Sequence, residues 1–351
     1  MITIGIDPHR TVNEAAALNE TGGIVGRWRG TNDTAGWEAL WEWASTYGDD
    51  REYGIEGAWS YGRGLAQWLR GRGERVYNVS PHLTAEGRRR ARKRGKSDGQ
   101  DAEAVARVVR QEGGQLPEVT DEDETSILAV LNGERELLKG EAARLQNHLR
   151  ALLRQAHPVS ERNLRSLTTR RALAEMQVFG AGESGTVDDA RAATIRRLGL
   201  RLETTLGDLR KIGREMEERA AERFGELTTI CGVDRLTAAQ LAAEMGPGQR
   251  FANDAALASW GGTAPLEASS GGLVRHRLSR LGNRQFNAIV HRIAVTQMRY
   301  SEEARAYIER RRSHGKTKRE AMRALKRYIV RAVFARWLRC FERPPSPSTP
   351  L

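Results

Sequence analysis

"ITIGID", Ile2 to Asp7, is the stretch whose reading decides the fold. It reads as a buried strand that ends on an aspartate. The segment behind it, "NEAAALNETGGIVGRWRG" (13–30), reads as two further strands around a turn at Gly22 and Gly23. "TAGWEALWEWASTYG" (34–48) then places Trp37, Leu40, Trp41 and Ala44 at helical spacing. "EYGIEG" (52–57) is a short strand that ends at Glu56, "YGRGLAQWLRGRG" (61–73) a helix with a glycine-rich stop, and "RVYNVSP" (75–81) another strand. Three opening strands, followed by strand and helix in alternation, predict an α/β sheet.

A basic run follows. "GRRRARKRGK" (87–96) carries Arg88, Arg89, Arg90, Arg92, Lys93, Arg94 and Lys96. It lies in a predicted loop or frayed helix over 82–96, ahead of a helix over 97–112 with Ala102, Val105, Ala106, Val108 and Val109 apolar. The chain has 351 residues and a formal net charge of +12, unevenly spread. Residues 1–60 hold ten acidic and four basic side chains, whereas 61–100 hold three acidic and eleven basic, and 227–351 nine acidic and twenty-two basic. Two separate basic surfaces point to nucleic acid ahead of a small acidic substrate. Cys231 and Cys340, the only cysteines, make neither a disulfide framework nor a zinc set. With no leader and no apolar run of about 18 residues, the expectation is a cytoplasmic protein without a membrane span.

After Pro117 the composition changes. Leu131, Leu138, Leu145 and Leu152 recur every seven residues, flanked by Leu128 and Leu149, which reads as a coiled-coil seam. A second long helix over 186–224 places Ile195, Leu198, Leu202, Leu209, Ile212 and Met216 on one face, with "GAGESG" (180–185) as the turn before it. The two helices pair either with each other or across protomers. From Leu227 the chain changes again: helix end, turn and helix over 227–246, resembling a helix-hairpin-helix, then a short helix at 253–262. A Ser-, Gly- and Arg-rich loop or hairpin spans 263–285, with amphipathic basic helices at 286–299 and 323–340. The expected division is an α/β domain (1–117), a helical connector (118–226), a mainly helical C-terminal domain (227–342) and a disordered tail (343–351).

The carboxylates suggest the chemistry. Asp7 and Glu56 end predicted strands, and Asp98 and Asp101 lie one helical turn apart on one face. In open α/β sheets, ligand sites gather at strand ends. Four carboxylates brought together repel one another in a low-dielectric cleft. A hard divalent cation such as Mg²⁺ removes that cost and can act on a phosphodiester. The adjacent cations would hold the nucleic-acid backbone.

"GID" (5–7), "IE" (55–56) with Tyr61 behind it, and "KSDGQDA" (96–102) resemble the DEDD signature of the one-hundred-and-ten family of bacterial insertion-sequence transposases, relatives of the Piv site-specific invertases. The resemblance implies an N-terminal domain of the RuvC type, an RNase H-like fold, with Asp7, Glu56, Asp98 and Asp101 as Mg²⁺ ligands. "WGGTAPLEASSGG" (260–272) and "LSRLGNRQF" (278–286) resemble the family's serine segment. By that match Ser270 is the nucleophile, with Ser269 the neighbouring alternative. Arg275, Arg277 and Arg280, together with His276, lie close enough in sequence to neutralise developing phosphate charge. Three places depart from the family pattern: Trp59, Arg280, and the stretch Cys231 to Asp234.

The resemblance implies a recombinase that moves a DNA element between donor and target under a structured bridge RNA. It also implies a composite site in which the carboxylates of one protomer meet the serine of another, in a dimer that assembles to a tetramer. Three rivals stand beside it: a resolvase-like nuclease that uses water, an actin-like sugar kinase or ATPase, and a nonenzymatic RNA- or DNA-binding protein.

Overall fold

The computed structural model describes residues 1–81, 83–84, 98–156, 166–180, 186–267, 276–278 and 282–342, with the backbone alone at 98–99, 249, 265–267 and 276–278. The basic run and both candidate serines lie outside the described residues. The chain folds into two compact units. Among the described residues, one comprises Met1–Asp123, Thr229–Gly232 and the chain from Met245 onward; the other comprises Glu124–Thr228 and Val233–Glu244.

The chain opens with five strands in the order β3-β2-β1-β4-β5. They are β1 (Ile2–Pro8), β2 (Val12–Leu18), β3 (Ile24–Thr31), β4 (Arg51–Glu56) and β5 (Val76–Val79). The first three form an antiparallel meander, and β4 and β5 add in parallel to β1. This is the predicted α/β sheet. Its residues alternate between two faces, as strand geometry requires. Ile4, Ile6, Tyr53 and Ile55, all fully buried, pack on one face with Leu40 and Ala44 of α1 (Thr34–Ser45) and Leu65 and Leu69 of α2 (Arg63–Arg70). The Asp33 side chain starts α1 by accepting the Gly36 N–H at 2.9 Å.

The other face is covered by α3 (Asp98–Glu112), whose Val105 and Val109 pack with Tyr77 and Val79. Two glycines let this helix settle close to the sheet. Gly5 and Gly54 are register partners on β1 and β4. A Cβ on Gly5 would lie 2.2 Å from both the Ala102 carbonyl oxygen and the Ala106 nitrogen, and one on Gly54 would lie 2.2 Å from Val109 Cγ2. The helix runs antiparallel to β1. Ala102 rests on Gly5, while Arg110, near the other end, donates to the Asn19 carbonyl at 2.8 Å, beside the start of β1.

The second unit is built on α4 (Glu124–Ala156) and α6 (Val187–Phe224). Ion pairs of Arg219 with Glu124 and Arg201 with Glu141 fix them as an antiparallel hairpin within one chain. The intramolecular pairing is therefore the one observed. The buried stripe is not the expected heptad seam. Leu128, Asn132, Ala142, Leu145, Leu149 and Leu153 are buried, whereas Leu131, Leu138 and Leu152 are half-buried. A straight helix drifts away from a seven-residue repeat. A short helix absent from the sequence reading, α5 (Arg170–Gln177), also lays Leu173 and Met176 into the same core. The helix α7 (Arg235–Met245) follows the predicted turn, where Gly232 takes a positive φ of 88°.

The C-terminal part contains α8 (Asp254–Trp260), the two-stranded β6 (Pro265–Glu267) and β7 (His276–Leu278), and then α9 (Arg284–Tyr300), α10 (Glu302–Ser313) and α11 (Lys318–Glu342). The charged α10 is not foreseen in the sequence, because it buries only Ala304 and Ile308. No described helix is long and apolar enough to cross a membrane.

The closeness of α3 to the sheet gives a direct test. Gly5→Val places branched carbons inside helix backbone, so its cost should exceed the ~1–3 kcal/mol usual for overpacking. Thermal unfolding should show the midpoint falling or the N-terminal transition vanishing, with Gly5→Ala intermediate.

Candidate active site

Asp7 and Glu56 follow Gly5 and Gly54 by two residues, so they project from the same sheet face toward α3. Asp98 is the first residue of α3, and its side chain lies outside the described set. At about 1.5 Å per helical residue, its backbone is ~6 Å beyond Ala102. At about 3.3 Å per strand residue, Asp7 is ~7 Å beyond Gly5. The start of the helix is therefore level with the end of the strand. Asp101, one turn before Val105, is buried, as is Asp7, each with 8% of its surface exposed. The structure thus brings Asp7, Glu56 and the N-terminal turn of α3 to one end of one sheet face. A helix N-terminus beside carboxylates offsets part of their mutual repulsion.

Neighbouring groups distinguish the acids. Glu56 Oε1 accepts a hydrogen bond from the fully buried Thr84 hydroxyl at 2.8 Å. Asp7 Oδ2 lies 3.5 Å from the half-exposed His9 ring. Glu14, which sequence reading did not single out, is the register partner of Asp7 on β2, but Arg29 pairs with it at 3.3 Å. Among the described residues, no three His, Cys, Asp or Glu side chains gather closely enough to hold a metal ion. The donor set nevertheless suits a hard cation: carboxylates only, two of them buried, at a strand end and a helix start.

The second candidate segment is described at its neck. Ser269, Ser270, Arg275 and Arg280 fall outside the described residues, as do Arg88, Arg89, Arg90, Arg92, Lys93, Arg94 and Lys96; Arg277 is described only as backbone on β7. The two ends of the serine segment meet at a pair of glycines. A Cβ on Gly282 would lie 2.1 Å from the Gly262 nitrogen, and Gly262 itself takes φ +63°. Asn283 donates its N–H to the Trp260 carbonyl at 2.8 Å and caps α9 by accepting from the Phe286 N–H. Asn287 donates to the carbonyls of Gly261 and Gly262 at 3.1 and 3.0 Å, and its own oxygen accepts from Lys326 Nζ.

Asn287 and Lys326 are the groups that sequence reading missed. "LGNRQFN" (281–287) carried the signal for the first, since its second asparagine falls one turn inside the helix that Asn283 caps. Nothing marked Lys326, one cation among many on a basic helix, yet it is only 7% exposed. Burial lowers its ammonium to a pKa of about 8.

That shift has a sign in stability. The unfolded side chain titrates near pH 10.4, so between about pH 8 and pH 10 the unfolded state binds the extra proton. Stability from this group rises with pH across that window and gains nothing below it. Urea unfolding should show wild type gaining stability relative to Lys326→Met from pH 8 to pH 10.

Similarity to known proteins covers both stretches of the chain. A family model described as a transposase, of the DEDD IS110 type, matches residues 4–158. A second, described as a transposase of the IS116/IS110/IS902 family, matches residues 225–309. An uncharacterized 43.6 kDa protein of insertion element IS110 from Streptomyces coelicolor is 30% identical over 284 residues, covering 68% of this chain and 70% of that protein. A mini-circle protein from the same organism, named as the putative transposase for IS117, is 25% identical over 375 residues, covering 92% of this chain and 90% of that protein. The chain belongs to the IS110 family of insertion-sequence transposases, enzymes that act on DNA in transposition.

Proposed function

We propose that this transposase excises and inserts its element through a RuvC-like metal site in residues 1–117 and a serine nucleophile in residues 227–342, joined by the helical connector 118–226. Asp7, Glu56, Asp98 and Asp101 hold Mg²⁺, which when bound supplies Lewis-acid stabilisation to the phosphodiester. The observation that supports this most is the seating of α3 on Gly5 and Gly54, which carries Asp101 to the strand ends bearing Asp7 and Glu56. The sheet order β3-β2-β1-β4-β5, with an antiparallel meander and two parallel strands, is compatible with the RNase H-like reading.

Ser270 is the attacking group. Its oxygen forms a bond to phosphorus as the bond to one deoxyribose oxygen breaks, and the departing oxygen takes up a proton. The phosphoserine ester conserves the bond for religation. Arg275, Arg277 and Arg280 neutralise the charge that develops on the phosphate. The run from Arg88 to Lys96 holds the nucleic-acid backbone without reading sequence. Target and donor choice comes from pairing with a structured bridge RNA. Two protomers form a dimer, and two dimers form a tetramer in which the carboxylates of one protomer face the serine of another. The protein works in the cytoplasm, on the nucleoid.

Incubation with radiolabelled element-end DNA, then denaturation, separates this mechanism from hydrolysis by water. Wild type should yield a protein–DNA adduct, and Ser270→Ala should abolish it while retaining DNA binding within about twofold. Asp98→Asn should lower adduct formation by at least about 10²-fold, the scale of losing a transition-state charge stabiliser. Unchanged cutting by Ser270→Ala would contradict the serine mechanism.

A further inference from the structure

A cavity of about 540 Å³ opens between α10 and α11, bordered by Gly262, Thr263 and Ala264, the residues that lead into the serine segment. Its volume is that of a small-molecule cleft, about 300–1,000 Å³, large enough for one nucleotide and too small for a base pair with both backbones. Its walls combine two features of single-strand recognition, aromatic rings and cations.

Tyr307 and Tyr328 line it with ring centroids 6.1 Å apart and planes tilted by 31°. Tyr328 is 61% exposed, so its ring is open to a ligand. The charge around them is unbalanced. Arg327 and Arg331 are paired with Asp254, at 2.6 and 3.6 Å. Glu320, the acid in the lining, is engaged by the Thr317 N–H and hydroxyl, each at 2.8 Å. Arg311, Arg323 and Lys326 add positive charge at the wall. Lys326 is the most telling of them. It is almost wholly buried, and its ammonium donates to the neutral amide of Asn287. Burying an ammonium against a neutral acceptor is costly, and an anionic oxygen would offset that cost.

We propose that this cavity takes one unstacked nucleotide of single-stranded DNA, its base against Tyr307 and Tyr328 and its phosphate at Lys326 and Arg323. The inference rests on the proposed reading of the adjoining segment as the one that meets DNA. Through Asn287, Lys326 also touches the neck of that segment, because the same amide holds the Gly261 and Gly262 carbonyls. A nucleotide seated in the cavity would therefore be held beside Gly262, Thr263 and Ala264, where that segment begins.

The full chain is irradiated with a short single-stranded DNA containing 5-iododeoxyuridine, and the cross-linked peptide is identified by mass spectrometry. Binding is followed by fluorescence anisotropy across a salt series, with duplex DNA and RNA of the same sequence in parallel. Cross-links should map to Tyr307 or Tyr328. Tyr328→Ala should weaken single-stranded DNA by about 5- to 150-fold, the scale of losing one stacked base, while Tyr328→Phe keeps wild-type affinity. Arg323→Ala should lower the salt slope by about 0.7, one phosphate contact on a single strand. Cross-links confined to other peptides, unchanged affinity in Tyr328→Ala, or a loss seen with RNA and not DNA would each overturn the proposal. Ser270→Ala, run alongside, keeps the two ideas separate. A cross-link at Tyr328 that survives while wild type forms no covalent adduct would count against the serine and not against the cavity.

Discussion

The N-terminal part depends on a contact in which there is no side chain. Gly5 and Gly54 sit side by side on parallel strands, and α3 lies so close above them that a methyl group on either would fall inside helix backbone or a valine. Close packing of this kind leaves no room for a shifted helix, since protein interiors tolerate neither overlap nor voids. The position of α3 along the strands is therefore fixed. Its first turn ends up level with the ends of β1 and β4. Acids separated by more than ninety positions in the chain, Asp7 and Asp101, are thereby buried at one edge of the sheet.

Electrostatics follows from that placement. Glu14, the strand partner of Asp7, has Arg29 beside it, and Glu56 is oriented by a buried threonine. In the C-terminal part a comparable economy holds the serine segment. Gly262 and Gly282 touch at its neck, and a single amide, Asn287, joins the first of these glycines to Lys326. Both candidate segments are thus anchored, in their described residues, by glycine contacts and a few buried polar groups.

Much of this was legible in the sequence because local pattern and tertiary placement agree there. Strands β1 to β5 announced themselves by apolar runs between turn residues, and Asp7 and Glu56 stood at their ends. The helix after the basic run was readable from Ala102, Val105, Ala106 and Val109. What failed did so where tertiary context overrides spacing. The leucine heptad predicted a seam through Leu131, Leu138, Leu145 and Leu152, but packing against α5 and α6 drew the buried stripe toward Leu149 and Leu153. Helix α5 has only eight residues, too few to show a period. The burial of Lys326 left no trace in the sequence, because a lysine on a basic helix reads as solvated until its neighbours are known.

The central claim is that folding gathers Asp7, Glu56, Asp98 and Asp101 into one site for a divalent cation. Isothermal titration of the full-length protein with Mg²⁺ or Mn²⁺, in the absence of DNA, tests it without relying on catalysis. The account predicts saturable binding in wild type that is lost alike in Asp7→Asn and Asp101→Asn, both still folded by circular dichroism. Binding that persists unchanged in those two variants, or that depends on one and ignores the other, would contradict it.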